Sequence, residues 1–315
     1  MPNPTGTFQR PDLGTAFSQL PDNADGFIAT DCLPIYNSPL QSANYSVIKA
    51  EALMRLEDLK RGPSAGYKRA TYDFSQANFS TAEFGLEEQI DDRTRKLYSY
   101  SFDVERFAAA RLRRRLRTNL EVLTAAQVQG SLGGTAAAAK KWNDPAGDPI
   151  ADIKAAKIAL RALNGLNPED ASLAMDWETF ESLLDSAAML DRIKFNGTEQ
   201  VVKAKITKDA IAQAFGIKEV IVARAMKNTA DVGQTRSLSA IWDKTIVTLF
   251  HKASGDIQMP GLGHTVVWTA DGASADGIME EYREEQSRSQ ILRCRSELAS
   301  HIKYTNAGYT ITTCL

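Results

Sequence analysis

The longest regular alternation of apolar and polar positions runs from about residue 103 to 129. Val104, Ala108, Leu112, Leu116, Leu120 and Leu123 fall at spacings of three and four, which predicts one long amphipathic helix. At about 1.5 Å per residue it would extend roughly 40 Å, a length suited to a structural spine. The stretch "GSLGGT", residues 130–135, breaks the pattern. Upstream, Leu53, Leu56 and Leu59 stand at helical spacing and predict a shorter helix over 46–61. Gly62-Pro63 and Gly66 then supply turn chemistry. Tyr67, Tyr72, Phe74, Phe79 and Phe84 follow among polar residues, with stretches of rough period two. That pattern describes an open ribbon or flap better than a packed domain.

From about 147 to 277 the pattern becomes mixed α and β. Asp148 directly before Pro149 is the favoured order of N-cap and first helical residue, and predicts a helix over 149–164 that ends in "NGLNPED". "SLAMDWETFESLLDS" reads as a strand entering a second helix. "TKDAIAQAFGIKEVIVARA" reads as a capped short helix followed by a strand over 219–225. "TIVTLF" and "TVVWTA", rich in β-branched residues, predict further strands. The last stretch reads as two β segments around Asn306-Ala307-Gly308. No internal repeat is present.

Residues 1–45 behave differently. They are rich in Pro, Asn, Ser, Gly and Asp, with isolated apolar anchors such as Phe8, Phe17, Leu20 and Phe27. Such a stretch cannot build its own core, and an extended arm laid over another surface is expected. Ordering the arm and flap costs ~1–2 kcal/mol per residue in backbone entropy. Burial at ~25 cal/mol per Å² recovers that only against some other surface. Another copy of the same chain is the natural one, so the organisation suggests assembly.

Composition narrows the picture. With 43% hydrophobic and 24% charged residues over 315, the chain can build a sizeable core in one large or two ordinary domains. The formal net charge of -2 excludes a broadly basic nucleic-acid binder. No apolar run approaches the ~18–20 residues needed to span a bilayer. The N-terminal stretch lacks the order of a secretory signal. Cys32, Cys294 and Cys314 fit neither a disulfide framework nor a zinc spacing, so synthesis in a reducing cytoplasm is expected.

Candidate chemistry is sparse. Asp144, Asp148 and Asp152 cluster around two prolines, and the two readings are a carboxylate metal site or a capped helix start. The cap is favoured, because no further ligands are evident. His251, His264 and His301 belong to no metal or catalytic spacing, and "GLGH" at 261–264 reads as a turn. No catalytic residue, metal or cofactor is assigned. In "RLRRRLRTNLE", Arg111, Arg114, Arg115 and Arg117 would cover part of the spine helix. The readings are a solvated face, a contact with acidic residues of another subunit, or a contact with phosphates.

Taken in order, these segments resemble the major capsid protein of tailed bacteriophages, with the Hong Kong ninety-seven-type fold. "IKAEALMRLEDLKRGPSAGYKRATYDFSQANFSTAEFGLEEQIDDRTR" resembles that family's extended loop and its return. "SFDVERFAAARLRRRLRTNLEVL" resembles its spine helix, and "WNDPAGDPIADIKAAKIAL" the opening of its axial domain, with "MDWETFESLL" after it. "TKDAIAQAFGIKEVIVARAMKNTA" and "LSAIWDKTIVTLFH" are similar to the next two elements. The order of all of them carries the resemblance, over nearly the whole chain.

The resemblance implies an α+β fold with an N-terminal arm (1–45) and an extended loop (46–92). A peripheral domain (93–146 and 278–303) and an axial domain (147–277 and 304–315) complete it. It implies a structural head protein, not an enzyme, forming hexamers and pentamers of an icosahedral shell around double-stranded DNA. Partners would be other copies, a separate scaffolding protein, a portal and a decoration protein, with no membrane. The location would be the virion, after assembly in the bacterial cytoplasm. Subunit contacts are expected from Phe8, Phe17, Tyr67, Lys68, Tyr72, Phe74 and Phe79. Arg111, Arg114, Arg115 and Arg117 would touch a subunit or DNA. Some members crosslink through a loop lysine; Lys60 or Lys68 would be the residue here, but no local motif supports a crosslink. Alternatives are an encapsulin-like nanocompartment, a gene-transfer-agent shell and, from another class, a metal-dependent hydrolase using Asp144, Asp148 and Asp152.

Overall fold

The computed structural model of the chain describes residues 8–9, 26–48, 54–56, 59–63, 66–67, 69, 75–98, 103–130, 132–194, 206–231, 233–272 and 274–315. Its strands are β1 (Phe8–Gln9), β2 (Ile35–Ser38), β3 (Ser42–Val47), β4 (Ser75–Ser80), β5 (Ala82–Asp91), β6 (Gly134–Ala137), β7 (Ser172–Asp176) and β8 (Glu219–Ala223). They continue with β9 (Met226–Asn228), β10 (Leu238–Ala240), β11 (Val247–Phe250), β12 (Gly263–Trp268), β13 (Ile278–Glu284), β14 (Ser289–Ile302) and β15 (Gly308–Thr312). The helices are α1 (Ala29–Cys32), α2 (Asp92–Tyr98), α3 (Val104–Val128), α4 (Pro149–Asn164), α5 (Trp177–Asp185), α6 (Ala187–Lys194) and α7 (Lys208–Phe215).

The predicted spine is α3. The Asp103 side chain accepts hydrogen bonds from the N–H groups of Glu105 and Arg106, satisfying two donors that a helix start leaves orphaned. Its Ala108, Ala109, Leu112 and Leu116 pack against Met279, Leu292 and Cys294 of the first sheet. Further along, Ala125 and Val128 join the core beneath the second sheet. One helix of 25 residues thus lies across both layers.

The first sheet has six strands, in the order β1-β13-β14-β12-β2, with β5 also paired to β14. The second has five, in the order β6-β15-β11-β7-β8. Both faces of the inner strands β7 and β11 are covered, and they are buried at every position. Along β7, Leu173 and Met175 point into the core shared with Ile153, Leu160, Leu183 and Ile211, while Ala174 points to the opposite core. β8 alternates in the same way, with Val220 and Val222 on one side and Ile221 and Ala223 on the other. Two short antiparallel pairs, β3 with β4 and β9 with β10, stand outside these sheets. Residues 134–137, before the expected 146/147 boundary, pair in the second sheet, and residues 263–268, before 277/278, pair in the first.

Most predicted elements form where expected, including α4 from Pro149 and the short helix capped by Thr207. The stripe at 46–61 is a correction. The chain is still strand at Val47, and residues 54–56 lie outside regular structure. Leu56 is 98% and Leu59 85% exposed. A short amphipathic helix draws most of its stability from packing, and among the described residues nothing covers Leu56 or Leu59; residues 49–53 and 57–58 lie outside the described residues.

The two layers meet at Glu121 of α3, a fully buried carboxylate. It accepts the Ile28 and Ala29 N–H groups at 2.9 Å each and the Trp242 indole N–H at 2.6 Å. Burial pushes its pKa up, against the pull of these three donors. The spine, the end of the arm and the loop before β11 are thereby fixed to one side chain. An Ala at Glu121 would orphan all three donors, at about 1–3 kcal/mol each. The urea midpoint of Glu121→Ala is expected to fall steeply, while that of the exposed Ala126→Ser stays put; equal midpoints would remove this hub from the account.

Candidate functional site

The extended loop expected over residues 46–92 is hung on a two-stranded ribbon. β3 and β4 pair antiparallel from Ser42↔Ser80 to Val47↔Ser75, so everything between Val47 and Ser75 is one excursion whose two ends lie side by side. β4 continues through Thr81 into β5. There the Thr81 hydroxyl lies within hydrogen-bond reach of two acceptors for its one proton, Glu297 Oε1 at 3.0 Å and the Gln41 carbonyl at 3.1 Å. β5 then pairs with β14 without interruption, from Ala82↔Leu298 to Asp91↔Ser289.

The ribbon is fastened to the body by aromatic packing. Phe79 is buried with Ile257 and Val266, beside Tyr36, Ala43 and Tyr45. The Tyr45 hydroxyl lies 2.7 Å from His301 Nε2, and their rings meet edge to face at 5.9 Å. Burial raises the Tyr45 phenol to about 12. His301 faces His264 directly across the β12–β14 ladder, and His264 Nε2 lies 2.6 Å from the Ser254 carbonyl. Burial lowers both imidazoles from 6.5 and pushes neighbouring Lys303 down to about 8.

Above this joint the excursion presents apolar side chains to water. Leu56 and Leu59 are almost wholly exposed, Tyr67 is 81% exposed and Met54 52%. The Arg61 guanidinium sits 4.6 Å from the Tyr67 ring centroid. The Phe8 backbone pairs with Glu281 in β13. Phe79, expected to bury against a neighbour, is instead buried in this chain's own core, because the ribbon folds it onto Val266 and Ile257. Phe17, Lys68, Tyr72 and Phe74 lie outside the described residues.

The arginines of α3 divide. Arg111 pairs with Glu88 of β5, and Arg117 contacts Asp276 at 2.9 Å. Arg114 and Arg115 are exposed. Arg113, which the sequence did not single out, is the buried one, 2.5 Å from Asp276. Further charged pairs bind the ribbon's return, Arg293 to Glu87 and Arg283 to Asp92. Exposed pairs of this kind are screened by water and contribute little; backbone pairing does most of the holding.

The three aspartates do not converge. Asp148 accepts the Ile150 and Ala151 N–H groups as the α4 cap. Asp152 accepts the Trp142 indole N–H at 3.0 Å, and Asp144 accepts the Ala146 N–H at 2.8 Å. Among the described residues no group of His, Cys, Asp and Glu is placed to hold a metal ion, and no helix is long and apolar enough to cross a membrane.

A phage-related protein from Bordetella bronchiseptica superposes over 98% of both chains with a TM-score of 0.71 at 18% identity. The capsid of cyanophage P-SCSP1u covers 88% of this chain and 85% of its own, with a TM-score of 0.59 at 13% identity. The fold is that of phage capsid subunits. The capsid of a native GTA particle agrees, covering 100% of this chain and 95% of its own with a TM-score of 0.56 at 11% identity. Neither the protein-family models nor the curated protein sequences contain a match. The expected α+β capsid fold of the Hong Kong ninety-seven type is borne out, with α3 as its spine.

Within this capsid fold the ribbon joint predicts a pH dependence. His264 and His301 bind protons more weakly folded than unfolded, so their contribution to stability is complete above about 6.5 and declines as pH falls below it. The thermal midpoint is expected to drop between about pH 7 and about pH 5.5. His264→Gln/His301→Gln should flatten that slope, leaving the share due to His251, which burial also lowers. An unflattened slope would place the sensitivity outside the joint.

Proposed function

We propose that this chain is the major capsid protein of a tailed bacteriophage, self-assembling as hexamers and pentamers into an icosahedral shell around double-stranded DNA. The observation that carries the reading is the excursion between Val47 and Ser75, where Leu56, Leu59 and Tyr67 face water on a capsid fold. Burying a leucine side chain contributes about 1.5–3 kcal/mol. A monomer forgoes that for every exposed anchor, while a closed shell recovers it at each repeated contact. The role proposed is structural rather than catalytic.

On this reading the first sheet with α3 forms the peripheral domain, and the second sheet with α4 to α7 forms the axial domain. Tyr67 on the loop meets a neighbouring subunit, as do Phe8 and Phe17 on the arm and Lys68, Tyr72 and Phe74. Arg114 and Arg115 face a neighbour or the packaged DNA. A scaffolding protein, a portal and a decoration protein complete the partner set. Assembly takes place in the bacterial cytoplasm and the product is the virion. Likeness to a native GTA particle favours a second reading, a shell of that kind, which differs in the DNA it carries. Sequencing nucleic acid from purified particles separates the two.

The loop can be tested without disturbing the body, because Val47 and Ser75 are register partners. Replacing residues 48–74 with Asn-Gly joins β3 to β4 through a two-residue turn suited to a hairpin. The expected product is a folded, soluble subunit that forms no closed shells by negative-stain electron microscopy, where the full chain forms them. Intact shells from the shortened chain, or a full chain that stays monomeric at high concentration, would overturn the proposal.

A further inference from the structure

Along one face of α4, Ile150, Ile153, Lys154, Lys157, Ile158 and Arg161 follow one another at helical spacing. Together with Phe215, Pro168 and Arg192 they line an apolar groove of about 300 Å³. Its floor is hydrocarbon, from Ile150, Ile153 and Phe215, and Ile158 projects from its edge with 64% of its surface exposed. Its rim is cationic, and its lining contains no carboxylate. Lys157 spends its charge on the end of α7, donating to the carbonyls of Phe215 and Gly216 at 2.9 and 2.5 Å. Lys154, Arg161 and Arg192 are exposed. A cluster of like charges around an apolar floor is matched by a segment that brings leucines and carboxylates together.

The chain carries such a segment. Leu56 and Leu59 flank Glu57-Asp58 in the sequence. Within one chain, Met54 rests against Gly165 at the C-terminal end of α4, yet Leu56 and Leu59 remain in solvent. Among the described residues, the chain's own loop leaves both its leucines and the groove uncovered.

We propose that the groove on α4 receives Leu56 and Leu59 of a second copy, with Glu57 and Asp58 answering the cations of its rim. The inference rests on the reading of the chain as a shell subunit and names the surface that the loop grips. The loop then selects its neighbour by charge and holds it by leucine burial.

Two chains of different mass, one carrying Leu59→Cys and the other Ile158→Cys, are assembled together and oxidised. The native cysteines are all buried and do not compete. A reductant-sensitive heterodimer is expected, and none when Met259→Cys, an exposed apolar position outside the groove, replaces Ile158→Cys. Lys154→Glu/Arg161→Glu is expected to raise the concentration needed for assembly by about tenfold or more, with circular dichroism unchanged. Adding Glu57→Lys/Asp58→Lys should restore assembly. Shells without the heterodimer overturn the groove and leave the shell reading standing. Linkage found only within a doubly substituted single chain overturns it equally. A wild-type chain that forms no shells removes the shell reading, and this inference with it.

Discussion

Strand β14 is hydrogen-bonded along both of its edges, and the rest of the molecule is arranged around that requirement. One edge is taken by β5 from Ser289 to Leu298. The other is shared, by β13 up to Arg295 and then by β12 from Leu298 to Ile302. A buried backbone donor or acceptor without a partner is expensive, so a strand this long needs three others to cover it. One of them, β5, is the return of the loop, which ties the excursion to the centre of the sheet. The spine helix lies over the same strand through Leu112 and Leu116.

The spine is also tied to its surroundings by specific polar contacts. Glu121 gathers three donors from segments about a hundred positions away in sequence. Asp276, between Arg113 and Arg117, fixes the approach to β13 against the same helix. Both devices use short polar reach where apolar packing alone would leave rotation about the helix undefined. The spine therefore packs against both sheets along its length.

Where local chemistry determines local structure, the chain could be read directly. The Asp148-Pro149 pair caps α4, the leucine stripe makes α3, and the β-branched runs make β11 and β12. The misreading at 46–61 had a physical origin. Periodicity reports which side chains would share a face, but says nothing about whether a surface exists to receive that face. Phe79 illustrates the converse, an aromatic among polar residues that looked outward and is buried at home. Arg113, Glu121 and the Tyr45–His301 contact were invisible because each depends on a partner distant in sequence. A buried glutamate or arginine within a helix looks like any surface charge until its partner is placed.

The pairing of Val47 with Ser75 has a wider meaning for how such a chain can change. Because the ribbon closes beneath the excursion, its length is uncoupled from the registers of β5 and β14. Lengthening a closed loop adds only about 0.6 kcal/mol for each doubling. Variation in the length of the excursion can therefore accumulate here while the body that carries it keeps its geometry.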